Sequence, residues 1–453
     1  MRDQPIQTAD HDRHPALSEE GKRLLARLRE HPHAPIYRNE SGHRLRPHEV
    51  EQVRAQERDV MSAVLQANER GRPSWLEAWV KRCYELVPEF RDRGPPPECF
   101  EDIPTVDRGD LGRDIARFVP DDVPLERMIH FRTSGTTGHP LLIASHPVVA
   151  ASYLGYHRRA LRRFGVELRH GRGQMGVVLL GHQRVCFTYV SVTPTQDEAG
   201  LAKINLHPDD WRHPDDRAPY LDALAPEVLA GDPLSFAVLL DLPVTCRPRA
   251  LLCTSMTLLP GLRDRLTNRF GCPVLDLYSM NEAGPIAVAD PAVGGHVLLQ
   301  PRMHVEILDP AGRPAPAGQR GEITLTGGFN FCLPLLRYRT GDYASLRTVA
   351  GEPVLMGLEG RPPVRFRTRA GAWINNIEVT HLLRPYALAR FRLHQSADGT
   401  LQFGWDGPGI EGADLKRTLL TLFGADQPLN LGPLAPEPTK QVQYTSDLRG
   451  AFP

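Results

Sequence analysis

From about residue 120 to 290, short runs of β-type apolar residues alternate with longer stretches of helical period. The runs 176-GVVLL-180, 250-ALLCT-254 and 273-PVLDLY-278 are apolar almost throughout, and 256-MTLLPGLRDRLTNRF-270 has helical spacing. A strand that is apolar on both sides needs cover on both faces. The alternation therefore predicts layered α/β architecture, with helices packed on buried strands. After 290 the pattern changes to a β-meander. Residues 303–327 read as two alternating strands around a Pro/Gly-rich turn.

The first hundred residues read as helical. Residues 1–15 are polar and expected to be disordered. Residues 18–30 have a Ser cap and leucines at helical spacing, and stop before Pro32. A longer periodic segment, 47–70, carries Val50, Val53, Val60 and Val64 and closes at Gly71; residues 74–87 form a third helix. At the other end, 358-LEGRPP-363 reads as a boundary, followed by a strand–turn–strand at 391–405 and a helix at 412–424. The expected fold class is α/β: a large N-terminal domain of layered α/β subdomains plus a β-rich subdomain, joined by a hinge to a small α+β C-terminal domain. Residues 1–100 form a helical lead-in to the large domain, 101–360 its body, and 361–453 the small mobile domain.

Lys plus Arg equals Asp plus Glu, 54 each, so no global basic field exists. That argues against nucleic acid or an anionic membrane as partner. No apolar stretch approaches the ~20 residues of a membrane helix, and the N-terminus lacks the apolar core of a secretion signal. Seven scattered cysteines without a C-x-x-C pair argue against a disulfide framework or a zinc site. A cytoplasmic protein is expected, and a homodimer stays open.

The chemistry concentrates in three stretches. In 131-FRTSGTTGHPLLIA-144, four hydroxyl residues and two glycines occupy positions 133 to 138. Small residues let backbone N–H groups converge on an anion, and hydroxyls add donors. In 276-DLYSMNEAG-284 a strand brings an aromatic, then a carboxylate four residues on. An aromatic face stacks on a purine, and a carboxylate near phosphate implies Mg²⁺ between them. In 334-PLLRYRTGDYASL-346 an apolar strand ends in Arg-Thr-Gly-Asp, whose Asp can accept from both hydroxyls of a ribose. Taken singly, each also fits a structural role: a polar turn, Tyr278 in the core, Glu282 as surface charge, Asp342 in a turn.

Together and in this order the motifs resemble those of the acyl-adenylate-forming (AMP-binding) superfamily, and most of all the phenylacetate-CoA ligase family. The stretches 103-IPTVDRGDLGRDIARFVP-120 and 296–327 add to the likeness, which covers about 100–453. The resemblance implies ATP-dependent adenylation of an organic, aromatic carboxylic acid and transfer to a thiol such as CoA, with ATP and Mg²⁺ required. It implies that Ser134, Gly135, Thr136, Thr137 and Gly138 hold the β- and γ-phosphates, Tyr278 stacks on adenine, and Asp276 sits near its amino group. By the same likeness Glu282 binds Mg²⁺, and Asp342 and Arg361 hold the ribose. Lys440, in 437-EPTKQVQYTSDL-448, resembles the mobile lysine that bridges the α-phosphate and the carboxylate. Thr136, Glu282 and Lys440 are thus the catalytic candidates.

Several residues depart from the family pattern. Leu141 stands where many relatives carry a lysine, Ser279 where they carry Gly, and Thr439 precedes Lys440 in place of Gly. The hinge reads Gly360-Arg361-Pro362-Pro363, and proline fixes φ at the position about which relatives rotate. The acyl pocket falls on 181-GHQRVCFTYV-190, where His182, Phe187 and Tyr189 are candidate lining residues; core packing is the alternative. His139 and His304 read as structural. Two other functions remain: a stand-alone adenylation enzyme that passes the acyl group to a carrier protein or an amine, and an inactive nucleotide-binding homologue.

Overall fold

The computed structural model describes residues 10–65, 72–132, 141–182, 186–360 and 364–450, apart from 384, 387, 389, 408 and 435–442. The chain divides into two compact units: Met1–Ala63, His146–Thr254 and Arg269–Leu275 in one, and Val64–Ser145, Ser255–Asn268 and Asp276–Pro453 in the other.

The first unit is built on five neighbouring strands in the order Ala250–Cys253, Val228–Gly231, Met175–Gly181, Ala199–Asn205, Tyr189–Thr193. The first four run parallel and the last is antiparallel. Val228–Gly231 and Ala250–Cys253 are buried at every position, the second as its uninterrupted apolar run predicts. Helices Pro47–Ser62 and Pro147–Arg163 pack together; Gly155 leaves room for Glu57, which pairs with Arg158. The helix Glu19–Glu30 starts where Ser18 accepts the Gly21 N–H, the cap expected from the sequence.

Two readings of this unit need correction. Asp10–Arg13 is helical, and Arg13 and His14 are buried, so order begins ahead of residue 15. The Arg13 carbonyl accepts the Arg44 N–H at 2.9 Å, and its guanidinium pairs with Glu40. These partners are distant in sequence, so local polarity did not reveal them. The helix from 47 ends at Ser62, where Ala63 turns extended, and Val64 is 80% exposed instead of continuing the buried stripe.

The second unit holds an antiparallel run of strands in the order Met303–Leu308, Gly321–Gly327, Leu335–Val349, Glu352–Gly360, Gly295–Leu298, Gly284–Asp290, Val274–Met280. Its core gathers Phe90, Ile103, Leu111, Ile286, Leu325, Leu336 and Tyr338. A short ribbon pairs Ile129–Arg132 with Leu142–Ser145, on either side of residues 133–140. Asn330 ties the ribbon down by donating to the Ala144 carbonyl at 2.9 Å.

Beyond residue 363, strands Arg390–Gln395 and Leu401–Asp406 form the expected hairpin, flanked by Tyr444–Ser446 and Leu429–Pro433. Helices Asn376–Leu383 and Gly412–Phe423 complete a separate apolar core, in which Leu259 also takes part. The whole is a mixed α/β protein. Among the described residues no helix is long and apolar enough to cross a membrane. Cys99 is exposed and the other six cysteines are buried.

Candidate active site

Asp276 and Tyr278 lie two residues apart on strand Val274–Met280, so they share a face, while Leu275 and Leu277 are buried on the opposite one. Asp276 accepts a hydrogen bond from the Leu258 N–H and lies 3.8 Å from the Arg263 guanidinium. Burial pushes its carboxyl up to about 7 in spite of these two opposing effects.

Tyr278 donates its hydroxyl to Asp342 Oδ2 at 2.8 Å. The adenine-type and ribose-type motifs, 64 residues apart, therefore meet side chain to side chain. Burial, and then the Asp342 charge, hold the Tyr278 phenol far above its ordinary value, so it stays a donor.

Asp342 was expected at a strand end. Instead it lies within Leu335–Val349, in register with Gly360. The strand continues because the Arg-Thr-Gly motif bends without breaking. Gly341 has φ +73, a conformation glycine adopts without strain. Glu322 on the adjacent strand accepts from the Gly341 N–H at 3.1 Å and from Arg339 Nε at 2.8 Å. Thr340 Oγ1 accepts the Asp342 N–H at 3.0 Å and donates to the Ile323 carbonyl at 2.9 Å. Asp342 is thus presented from a braced kink.

Glu282 lies in the turn between strands Val274–Met280 and Gly284–Asp290 and is only 3% exposed. Gln300 Nε2 holds this turn by donating to the carbonyls of Ala283 (2.6 Å) and Pro285 (2.8 Å). Glu282 Oε1 accepts from Arg108 Nη1 at 2.9 Å and from the Tyr338 hydroxyl at 3.2 Å. Burial, and then the Glu282 charge, keep the Tyr338 phenol protonated.

Arg108 opens helix Arg108–Arg113, which Asp107 caps by accepting from the Gly109 and Asp110 N–H groups. The approach to this helix is pinned to the Leu335–Val349 strand. The Val106 N–H donates to the Arg337 carbonyl at 3.2 Å, and the Arg339 N–H donates to the Val106 carbonyl at 2.8 Å. The buried Arg337 guanidinium donates to the carbonyls of Glu101 and Ile103 and pairs with Glu306 at 3.2 Å. Sequence reasoning did not single out Arg108, Tyr338, Arg263 or Gln300. Tyr338 opens the YRTGD motif, and Arg108 lies in the quoted 103–120 stretch, so both had a local signal.

Of the other candidates, His182, Phe187 and Tyr189 belong to the first unit. Phe187 is 51% exposed and meets Tyr189 edge-on with ring centres 5.7 Å apart. Burial pushes the Tyr189 phenol up to about 12. His182 lies 5.6 Å from His207, ring to ring. Burial raises the Asp232 carboxyl, and His182 is among the groups that oppose that rise. His304 packs edge-on against Phe100, and burial lowers it to about 4. Ser134, Gly135, Thr136, Thr137, Gly138, His139, Arg361 and Lys440 lie outside the described residues.

Among the described residues no group of His, Cys, Asp and Glu gathers as a metal site. One buried carboxylate is nonetheless what magnesium uses when substrate phosphates and water supply its remaining ligands. Glu282 fits that donor set.

Residues 124–331 match the family model described as AMP-binding enzyme. That match covers 208 of the 453 residues. Phenylacetate-coenzyme A ligase of Pseudomonas putida is 26% identical over 300 residues, 61% of this chain and 66% of that enzyme. The Escherichia coli (strain K12) enzyme of the same name is 25% identical over 307 residues, 62% of this chain and 67% of its own length. The match thus spans just under two thirds of the Pseudomonas putida relative. Among solved structures, 2-hydroxyisobutyryl-CoA ligase in the postadenylation state, in complex with 2-HIB-AMP, superposes with a TM-score of 0.62. It is 19% identical, over 82% of this chain and 88% of that one. Its open conformation with 2-HIB-AMP and CoA gives 0.53, over 82% and 91% at 18% identity. At these identities the likeness bears on the fold alone.

Proposed function

We propose that this chain activates an organic carboxylic acid as its acyl-adenylate, using ATP, and transfers the acyl group to a thiol such as CoA. The observation that carries the reading is the hydrogen bond from Tyr278 to Asp342. One nucleoside occupies both motifs only if they converge, and they do.

The chemistry follows from the charges. Carboxylate oxygen is a poor leaving group and AMP a good one, so the acid attacks the α-phosphate and pyrophosphate departs. The Tyr278 ring stacks on adenine, with its hydroxyl steadying Asp342 for the two ribose hydroxyls. Asp276 faces the adenine amino group, and Arg361 shares the ribose. Ser134 to Gly138 wrap the β- and γ-phosphates through backbone N–H and hydroxyl donors, with Thr136 nearest the chemistry. Magnesium, when bound, neutralises phosphate charge. Glu282 would hold it, through a carboxylate that is buried from water. Lys440 brings a cation to the α-phosphate and the acid. Residues 361–453 act as the small mobile domain that delivers it.

An aromatic acid is supported by the named relatives, both phenylacetate-coenzyme A ligases. Acid-dependent exchange of labelled pyrophosphate into ATP, run across a panel of aryl and alkyl acids, tests the first half-reaction. AMP release with and without CoA tests the second. Absence of exchange with every acid would refute the reading. AMP release that does not respond to CoA would move the acceptor to a carrier protein or an amine, the reading that Pro362 and Pro363 favour.

A further inference from the structure

We infer that a cleft in the first unit, between helices Glu19–Glu30 and Arg217–Leu224, is a ligand site of its own and takes a small carboxylate with an apolar body. Its volume is about 510 Å³, inside the ~300–1,000 Å³ range of small-molecule pockets. None of its residues belongs to the nucleotide motifs or the acyl candidates, so this binding and the adenylation reading stand or fall separately.

The helix period builds one wall. Leu24, Arg27, Leu28 and His31 follow at intervals of three and four, so one face of Glu19–Glu30 and its cap turns to the cleft. Leu24 and Leu28 are buried, and Met175 and Leu224 extend the apolar lining. The polar residues have their acceptors engaged within the protein. His31 Nδ1 accepts the His33 N–H at 3.2 Å, so the neutral ring carries its proton on Nε2. Burial, and then the His33 charge, hold His31 below its ordinary value, which favours that neutral ring. Gln174 Oε1 accepts the Gly171 N–H at 3.2 Å, which leaves the amide NH2. Arg27 donates to the Gly173 carbonyl, which steadies the guanidinium and leaves its other N–H groups for a ligand. Donors therefore outnumber acceptors, and no Asp or Glu lines the cleft.

Both helices end here, and a helix C-terminus repels anions. Those ends are engaged: the Tyr220 hydroxyl donates to the Leu28 carbonyl at 2.9 Å, and the Ala225 N–H to the Leu221 carbonyl at 3.1 Å. The whole charge of Arg27 then sets the sign of the cleft. A carboxylate accepts from these donors while its hydrocarbon or aryl part covers the leucines.

His170 also lines the cleft and serves as reporter. Its Nδ1–H donates to the Met175 carbonyl at 2.6 Å, so Nε2 is the nitrogen that reacts with diethyl pyrocarbonate. The test uses the full chain without nucleotide, and labelling of His170 is read by peptide mass spectrometry. Naphthoate should slow it about fivefold or more at saturation, while neutral naphthamide and inorganic phosphate should change it by less than about twofold. Arg27→Met should raise the naphthoate concentration for half protection about tenfold, while Arg29→Met, at a residue that does not line the cleft, should leave it unchanged. Labelling that ignores naphthoate would overturn the site. Equal protection by phosphate would overturn the apolar body, equal protection by naphthamide the carboxylate, and an unchanged half protection in Arg27→Met the anchor. Should that variant fail to fold, the probes on the wild-type chain decide alone.

Discussion

Tyr278 donates a hydrogen bond from its phenol to Asp342 Oδ2, and the side chains thereby lock at 2.8 Å. On the proposed role, replacing Asp342 with Ala removes two charge-assisted bonds to the ribose, each worth roughly 1.5 kcal/mol. The KM for ATP in pyrophosphate exchange should rise about a hundredfold. Tyr278→Phe keeps the stacking ring and loses only the steadying hydroxyl, so its KM should rise less than about tenfold. Equal effects from the two variants would contradict the division of roles.

Asp276 predicts a pH dependence. Its folded pKa, about 7, lies above the ordinary value of 3.8 because burial penalises the charged form. The folded chain therefore binds the proton more tightly than the unfolded chain. Stability from this group is fully present below pH 3.8 and is lost as pH rises to about 7. Asp276→Asn should be more stable than wild type at pH 8, by up to about 4 kcal/mol, with the gap closing at low pH. Urea midpoints at several pH values measure it. In the same window the wild-type KM for ATP should climb as pH falls, and the variant's should stay flat.

Arg337 is a buried cation paired with Glu306, and it carries two carbonyls of the 101–103 segment. Arg337→Met leaves Glu306 buried without its partner. A loss of about 3–5 kcal/mol in unfolding free energy is expected. Adding Glu306→Gln should recover part of it, a coupling that a double-mutant cycle in urea reads directly.

Lys440→Ala should lower pyrophosphate exchange by roughly a hundredfold or more, as expected for loss of a cation at the reacting phosphate. Overall nucleotide affinity, measured by calorimetry with AMP, should change much less.

Under the proposed hinge at 360–363, Pro363→Asp gives that position a freer φ. Acyl transfer in a single-turnover experiment from preformed acyl-adenylate should quicken, while exchange stays the same. An unchanged transfer rate would exonerate the prolines.

Local patterns carried much of the fold. Ser18 and the leucines after it marked helix Glu19–Glu30, and the apolar runs at 176–180, 250–254 and 273–278 all lie in or along strands. Contacts made at a distance were not legible. Arg13 is ordered by Arg44 and Glu40, Asp342 sits mid-strand because Glu322 braces Gly341, and Glu282 is buried because Arg108 lies across from it 174 residues earlier in the chain. Sequence reasoning gathered Tyr278, Glu282 and Asp342 as one set, because each sits in a compact motif. The cations beside Glu282 and Asp276, Arg108 and Arg263, are ordinary arginines in a chain rich in them.

Leu259 has a further consequence. It precedes helix Pro260–Phe270, yet it is buried at 2% in the core otherwise made by residues beyond 363, among them Phe366, Phe391 and Phe423. A swing of residues 364–453 as a body would pull this leucine into water, at roughly 2 kcal/mol. For the proposed mobile domain Leu259 would act as a detent, and trimming it to alanine should let the C-terminal body leave its seat more often.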